Sequence, residues 1–130
     1  MERRALLKEK FAGIGVNLED RQMVQFLLYA DLLTEWNERM NLTAITDYED
    51  IVVKHFVDSV SAIKVQDFSK VHYLLDLGTG AGFPGIPLKI VFPHLRVVLM
   101  DSLNKRIIFL REVIDKLGLD KVEAVHGRAE

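Results

Sequence analysis

Apolar residues return along this chain in two different periods. Met23, Phe26, Leu27, Ala30, Leu33 and Trp36 recur every three or four positions, the spacing that gathers side chains on one face of an α-helix. Residues 3–12 carry a shorter version, a turn or two closed by Gly13 and Gly15. Asn17 is the expected N-cap of the long helix, with Asp20 favourably placed in its first turn; the helix should fray over residues 37–41. Thr46 should cap a third helix, with Glu49 closing a capping box and Ile51, Phe56, Val60 and Ile63 forming its apolar stripe.

Near residues 66–70 the period changes. VHYLLDL (71–77) is a nearly continuous apolar run ending at glycine, which predicts a strand buried on both faces. A helix should begin near Pro84 and Gly85 and stop before Pro93, because proline is tolerated in a first turn. RVVLMD (96–101) reads as a second strand, residues 103–117 as a helix stopped by Gly118, and KVEAVH (121–126) as a third strand. Strands alternating with helices predict a parallel sheet. The expected fold is α/β: a Rossmann-like, doubly wound parallel sheet that stops after its third strand, preceded by a helical region. Residues 1–66 form the helical part and 67–130 the first half of the sheet domain. About sixty residues make a small half-sheet with a bare edge at its last strand, so the expectation is a fragment of a longer protein.

Composition narrows the class. The 130 residues are 49% hydrophobic and 28% charged, a globular composition, and no apolar run has the length of a membrane span. Lys8, Glu9 and Lys10 interrupt any secretory apolar region, so a cytoplasmic location is expected and the sequon Asn41-Leu42-Thr43 is set aside. Without cysteine there is no disulfide framework and no thiolate metal site; no metal is expected. The net charge is −2 but uneven: residues 1–50 hold 6 Lys+Arg against 10 Asp+Glu, and residues 51–130 hold 11 against 9. Lys105, Arg106, Arg111, Lys116, Lys121 and Arg128 could form a basic face for a polyanion, or an ordinary solvated helix surface.

The chemistry concentrates in LLDLGTGAGFPGIPLKI (74–90). Glycines 78, 80 and 82 follow a strand and precede a helix, at the strand end where open α/β sheets bind ligands. Gly80, Gly82 and Gly85 satisfy the dinucleotide pattern, and Asp101 stands near the usual distance for a ribose contact. Two features oppose a dinucleotide. Asp76 would face the diphosphate at Coulomb cost, and Pro84 and Pro87 remove amides from the turn that should donate to phosphate. S-adenosylmethionine suits the loop better. Asp76 can attract its ammonium group, glycine amides can meet its carboxylate, and Asp101, with Ser102 beside it, can hold the ribose hydroxyls.

Five blocks together, WNERMNLTAI (36–45), KHFVDS (54–59), DLGTGAGFPGIPLKI (76–90), DSLNKRIIFLR (101–111) and GRAE (127–130), resemble the bacterial glucose-inhibited division protein B family. Its members are 16S ribosomal RNA guanine-N7 methyltransferases. The resemblance implies that Gly78 and Phe83 line the S-adenosylmethionine pocket and that Ala129 and Glu130 lie beside the adenine. It places Asn41, His55 and Arg128 near the reaction site. It implies a 16S ribosomal RNA or small-subunit partner, no membrane, a monomer when full length, and further residues beyond GRAE that complete the sheet.

Residue by residue, plainer roles compete. His55 and Asp58 share a helix face and could simply pair, Asn41 could serve a helix end, and Phe26 and Trp36 read as core. Guanine N7 is already nucleophilic and carries no proton, so placement rather than base catalysis should dominate. A non-catalytic nucleotide- or RNA-binding module and a dehydrogenase domain are the competing functions.

Overall fold

The computed structural model describes residues 2–128. Helix α1 (Glu2–Ala12) buries Leu7 and Phe11 against α2 (Asp20–Met40). The start of α2 differs from expectation. Glu19, not Asn17, is its N-cap, and the Glu19 amide donates to Gln22 Oε1 at 2.8 Å, because a glutamine three residues in can reach back to the cap. Its far end is Asn41, left-handed at φ 49°.

The third helical segment is one rod of changing pitch: α3 (Tyr48–Asp50), a π-helical stretch (Ile51–Val57), α4 (Asp58–Val60) and a 3₁₀ turn (Ser61–Lys64). Asp47 rather than Thr46 caps it, its carboxylate accepting the Asp50 amide at 3.4 Å. Of the expected stripe, Ile51, Phe56 and Val60 are buried and Ile63 is half-buried. A short 3₁₀ turn (Phe68–Lys70) then leads into the sheet.

Three parallel strands, β1 (Tyr73–Leu77), β2 (Arg96–Asp101) and β3 (Val122–His126), lie in the order β1-β2-β3. Helices α5 (Gly85–Val91) and α6 (Asn104–Leu117) connect them, and Gly118 ends α6 in the left-handed conformation. The chain is α/β, with a helical region leading into a parallel, Rossmann-like sheet. Burial of β1 differs from expectation. Asp76 is buried, whereas Tyr73, Leu75 and Leu77 are 73%, 58% and 49% exposed. The two crossovers step the same way across the sheet, so both helices cover the face that carries Asp76, Val97, Leu99 and Ala124. No described element covers the other.

Helix α2 runs antiparallel to α5 and α6 and is pinned to both. Gln22 Nε2 donates to Ile90 O at 3.1 Å, and Gln25 Nε2 to Leu117 O at 2.9 Å, at the lower ends of those helices. Higher up, the Tyr29 hydroxyl donates to Ala81 O at 2.6 Å. The helical region therefore holds the glycine loop from beneath. Phe11, Phe26, Tyr29 and Phe56 carry the aromatic core between them, with ring centroids 4.9–5.2 Å apart. Phe26 is core as expected; Trp36 is half-buried, edge-on to Phe109 at 5.7 Å, with the Arg39 guanidinium over its ring at 4.8 Å.

Candidate functional site

The glycine loop lies at the carboxyl ends of β1 and β2, where a parallel sheet leaves backbone groups open to a ligand. Asp76, one residue from the end of β1, turns inward. Its Oδ2 accepts the Thr79 hydroxyl at 2.7 Å and the Gly85 amide at 2.9 Å. Burial pushes its carboxyl above the usual carboxylate range, against the pull of these two donors, and the nearby charge of Asp101 adds to the rise. Asp101, the last residue of β2, binds two segments at once: Oδ2 accepts the Gly80 amide at 2.8 Å and Oδ1 accepts the Leu103 amide at 3.0 Å. Arg106 lies 3.4 Å from Oδ2. Burial alone would raise this carboxyl, but the two amides and the guanidinium outweigh it and hold it below its ordinary value.

The glycines divide by what surrounds them. Gly80 has φ +61°, and an added Cβ would meet nothing within 4 Å; the same openness holds at Gly78. A side chain there would fill the space a ligand needs. Gly82, at φ +106°, is closed instead, since a Cβ would sit 2.7 Å from Ile86 Cδ1 and crowd the Tyr29 hydroxyl.

The loop's amides are largely spent inside the protein. Those of Gly82 and Phe83 donate to Thr79 O, Ile86 to Gly82 O, Leu88 to Pro84 O, and Gly85 to Asp76. Pro84 and Pro87 have none to offer. The turn into α5 thus lacks the free donors on which a diphosphate would rest. The Gly80 amide, a candidate for the cofactor carboxylate, is held by Asp101.

His55 reaches this loop from the π-helical stretch. Its ring stacks on Phe83 with centroids 4.3 Å apart and planes 7° apart, and Thr43 Oγ1 lies 2.7 Å from its Nε2. The expected pairing with Asp58 is not a hydrogen bond. The wider π winding takes a residue three positions on away from the face it would share in an α-helix. Asp58 acts only through its charge, which partly offsets the burial that lowers the His55 pKa.

The structure brings Asp76, Gly78, Gly80, Gly82, Phe83, Asp101 and His55 to one end of the sheet. Ser102 is exposed there, its carbonyl bonded to His126 Nε2 at 3.0 Å. Asn41 stands two residues from Thr43 as the α2 cap, and Arg128 is exposed just past β3. Ala129 and Glu130 lie outside the described residues. Of the six basic residues of the last quarter, Arg106 turns to Asp101 and Arg111 donates to Ala124 O at 3.2 Å, while Lys105 and Lys116 stand at opposite ends of α6. The sequence did not point to Thr43, Thr79 or the Tyr29 hydroxyl as parts of the site, and offered Arg106 only as one of a set of basic residues. Of these only Thr79 carried a signal, as the polar residue between two glycines three positions after an acid. Among the described residues no helix is long and apolar enough to cross a membrane.

A parallel sheet with an open glycine loop and two buried carboxylates near its strand ends is an α/β fold of the Rossmann-like methyltransferase type. The chain belongs to the GidB family, described as rRNA small subunit methyltransferase G, whose model matches residues 22–130. It is similar to proteins named ribosomal RNA small subunit methyltransferase G from several bacteria. The one from Alkaliphilus metalliredigens is 54% identical over 130 residues, covering 100% of this chain and 54% of that protein. The one from Lachnoclostridium phytofermentans is 60% identical over 118 residues, 91% of this chain and 49% of that protein. The one from Acetivibrio thermocellus is 56% identical over 127 residues, 98% of this chain and 52% of that protein. The chain thus spans about half the length of the curated relatives it matches.

Proposed function

We propose that this chain carries the S-adenosylmethionine-binding half of a methyltransferase that modifies N7 of a guanine in 16S ribosomal RNA, working as a cytoplasmic monomer. Residues 1–66 serve as the helical region that supports the loop, and residues 67–130 as the first half of the cofactor domain. The observation that carries this reading is the spent turn: from Gly82 to Leu88 every amide is bonded within the protein or absent, while the Asp101 carboxylate is bonded to the Gly80 amide and Asp76 stands two residues before Gly78. That site suits a cationic amino-acid headgroup and offers little to a diphosphate.

When bound, the cofactor supplies a methyl group activated by a sulfonium. Asp76 attracts the ammonium, Gly78 and Gly80 leave room for the backbone-like atoms, and Asp101 with Ser102 faces the ribose. Phe83 would line the rest of the cofactor's pocket, and the family resemblance assigns Ala129 and Glu130 to the adenine. Because N7 carries no proton, the chain's task is to place the base and exclude misaligned approaches; His55, Asn41 and Arg128 are assigned to that placement. Positive charge grows on the base as the methyl arrives, so uncharged or acidic neighbours favour the reaction.

The test is transfer of labelled methyl from S-adenosylmethionine to unmodified small-subunit RNA, followed by reduction and aniline cleavage at N7-methylguanine. Label that maps to one cleavable guanine is the expected result. Label that resists cleavage, or sits on another RNA, overturns the assignment.

A further inference from the structure

Thr43 is fixed from three sides. Its amide donates to Asn37 Oδ1 at 2.8 Å, its Oγ1 accepts the Ile45 amide at 3.1 Å, and the same Oγ1 lies 2.7 Å from His55 Nε2. A hydroxyl has one proton and two acceptor positions, and a neutral imidazole has one donor and one acceptor. The Ile45 amide already uses the oxygen as an acceptor. Among the described residues, His55 Nε2 is the one acceptor within reach of the hydroxyl proton. The assignment that gives the hydroxyl proton an acceptor has the hydroxyl donating to Nε2, which leaves the ring proton on Nδ1. The flat stack on Phe83 then fixes the plane in which that donor lies.

We infer that Thr43 is a positioning residue that holds His55 as the neutral Nδ1–H tautomer, flat against Phe83, so that Nδ1–H is offered to an acceptor on the incoming RNA base. The inference rests on the methyltransferase reading above for its substrate. No described group bonds Nδ1, so this donor remains available. A single donor suits the Hoogsteen edge of guanine, which presents O6 and N7 as adjacent acceptors. A hydrogen bond to O6 holds the base while the N7 lone pair stays free to take the methyl. A neutral ring also avoids setting a cation beside a base that is becoming positive. The Asn37–Thr43–His55–Phe83 series therefore links the end of α2 to the glycine loop and sets the orientation of the ring between them.

The test is ¹⁵N spectroscopy of the labelled histidine ring in the unaltered protein, Thr43→Val and Thr43→Ser, joined to methyl-transfer kinetics on unmodified 16S RNA. The unaltered protein and Thr43→Ser should show His55 protonated on Nδ1. Thr43→Val should lose that single tautomer and raise KM for RNA about tenfold, the worth of one hydrogen bond of about 1.4 kcal/mol, with S-adenosylmethionine affinity little changed. An Nε2–H ring in the unaltered protein overturns the inference, and so does an Nδ1–H ring that persists in Thr43→Val. Failure of the unaltered protein to bind S-adenosylmethionine would strike the methyltransferase reading instead, because the tautomer is read without ligand.

Discussion

The Asp101 carboxylate accepts the Gly80 amide at 2.8 Å, so the end of the second strand holds the loop that follows the first. Its other oxygen accepts the Leu103 amide at 3.0 Å, which fixes the entrance to α6 as well. One side chain therefore sets the distance between the two walls of the cradle. Asp101→Asn keeps the shape but turns an amide donor toward one of these amides. Loss of one charge-assisted bond should cost about 1.5–3 kcal/mol, read as a lower urea midpoint with unchanged slope, and should weaken S-adenosylmethionine binding at least about tenfold.

Gly80 and Gly82 should separate binding from folding. Gly80→Ala places a methyl in open space, at a backbone cost of about 1–2 kcal/mol for a left-handed residue. The fold should survive while the cofactor loses its room. Gly82→Ala pushes into Ile86 and Tyr29 and should destabilise the protein more than Gly80→Ala does. Urea unfolding and calorimetric titration of both variants check this; equal losses of stability and affinity in the two would refute the division.

Tyr29→Phe should loosen the loop from beneath. The hydroxyl is fully buried and donates to Ala81 O at 2.6 Å; burial, with the charge of Asp76, pushes its pKa well above the ordinary tyrosine value, so it stays a donor. Removing it strands a carbonyl at a cost of about 1–3 kcal/mol. Faster hydrogen exchange at Gly82 and Phe83, whose amides depend on the same turn, is the expected signature. Unchanged exchange there would show that the loop holds itself.

The long apolar periods were legible because each is written many times over: the α2 stripe and the strand-helix alternation survive any single exception. The glycine loop was legible because positive φ at Gly78, Gly80 and Gly82 demands the residue. What was lost depended on neighbours. An unbroken run such as VHYLLDL shows that a strand is apolar but not which face a helix covers, so Leu75 and Leu77 were read as buried when they are exposed. The expected and observed caps, Asn17 against Glu19 and Thr46 against Asp47, lie within two residues of each other and differ by the reach of one side chain. The Thr43–His55 contact crosses a loop and a change of helical pitch, and no spacing in the sequence encodes it.

His55 should make stability depend on pH. Burial lowers its pKa in the folded chain below the ordinary value of 6.5, with Asp58 opposing. The unfolded chain then binds the proton more readily. The stabilising contribution is present above about 6.5, falls as pH drops below it, and levels off once the folded group also protonates. Chemical unfolding of the unaltered protein and His55→Gln between pH 8 and 5 (a range of roughly that width, set by the ordinary histidine value) should show a smaller slope in the variant. Parallel curves would place the titration elsewhere.

Calorimetric titration of S-adenosylmethionine and of NAD, into the unaltered protein and into Asp76→Asn, bears most directly on the electrostatic character of the loop. Binding of S-adenosylmethionine but not NAD is expected, with the affinity lost in Asp76→Asn while the variant still unfolds cooperatively. Preference for NAD, or S-adenosylmethionine binding that ignores the loss of the carboxylate, would contradict it.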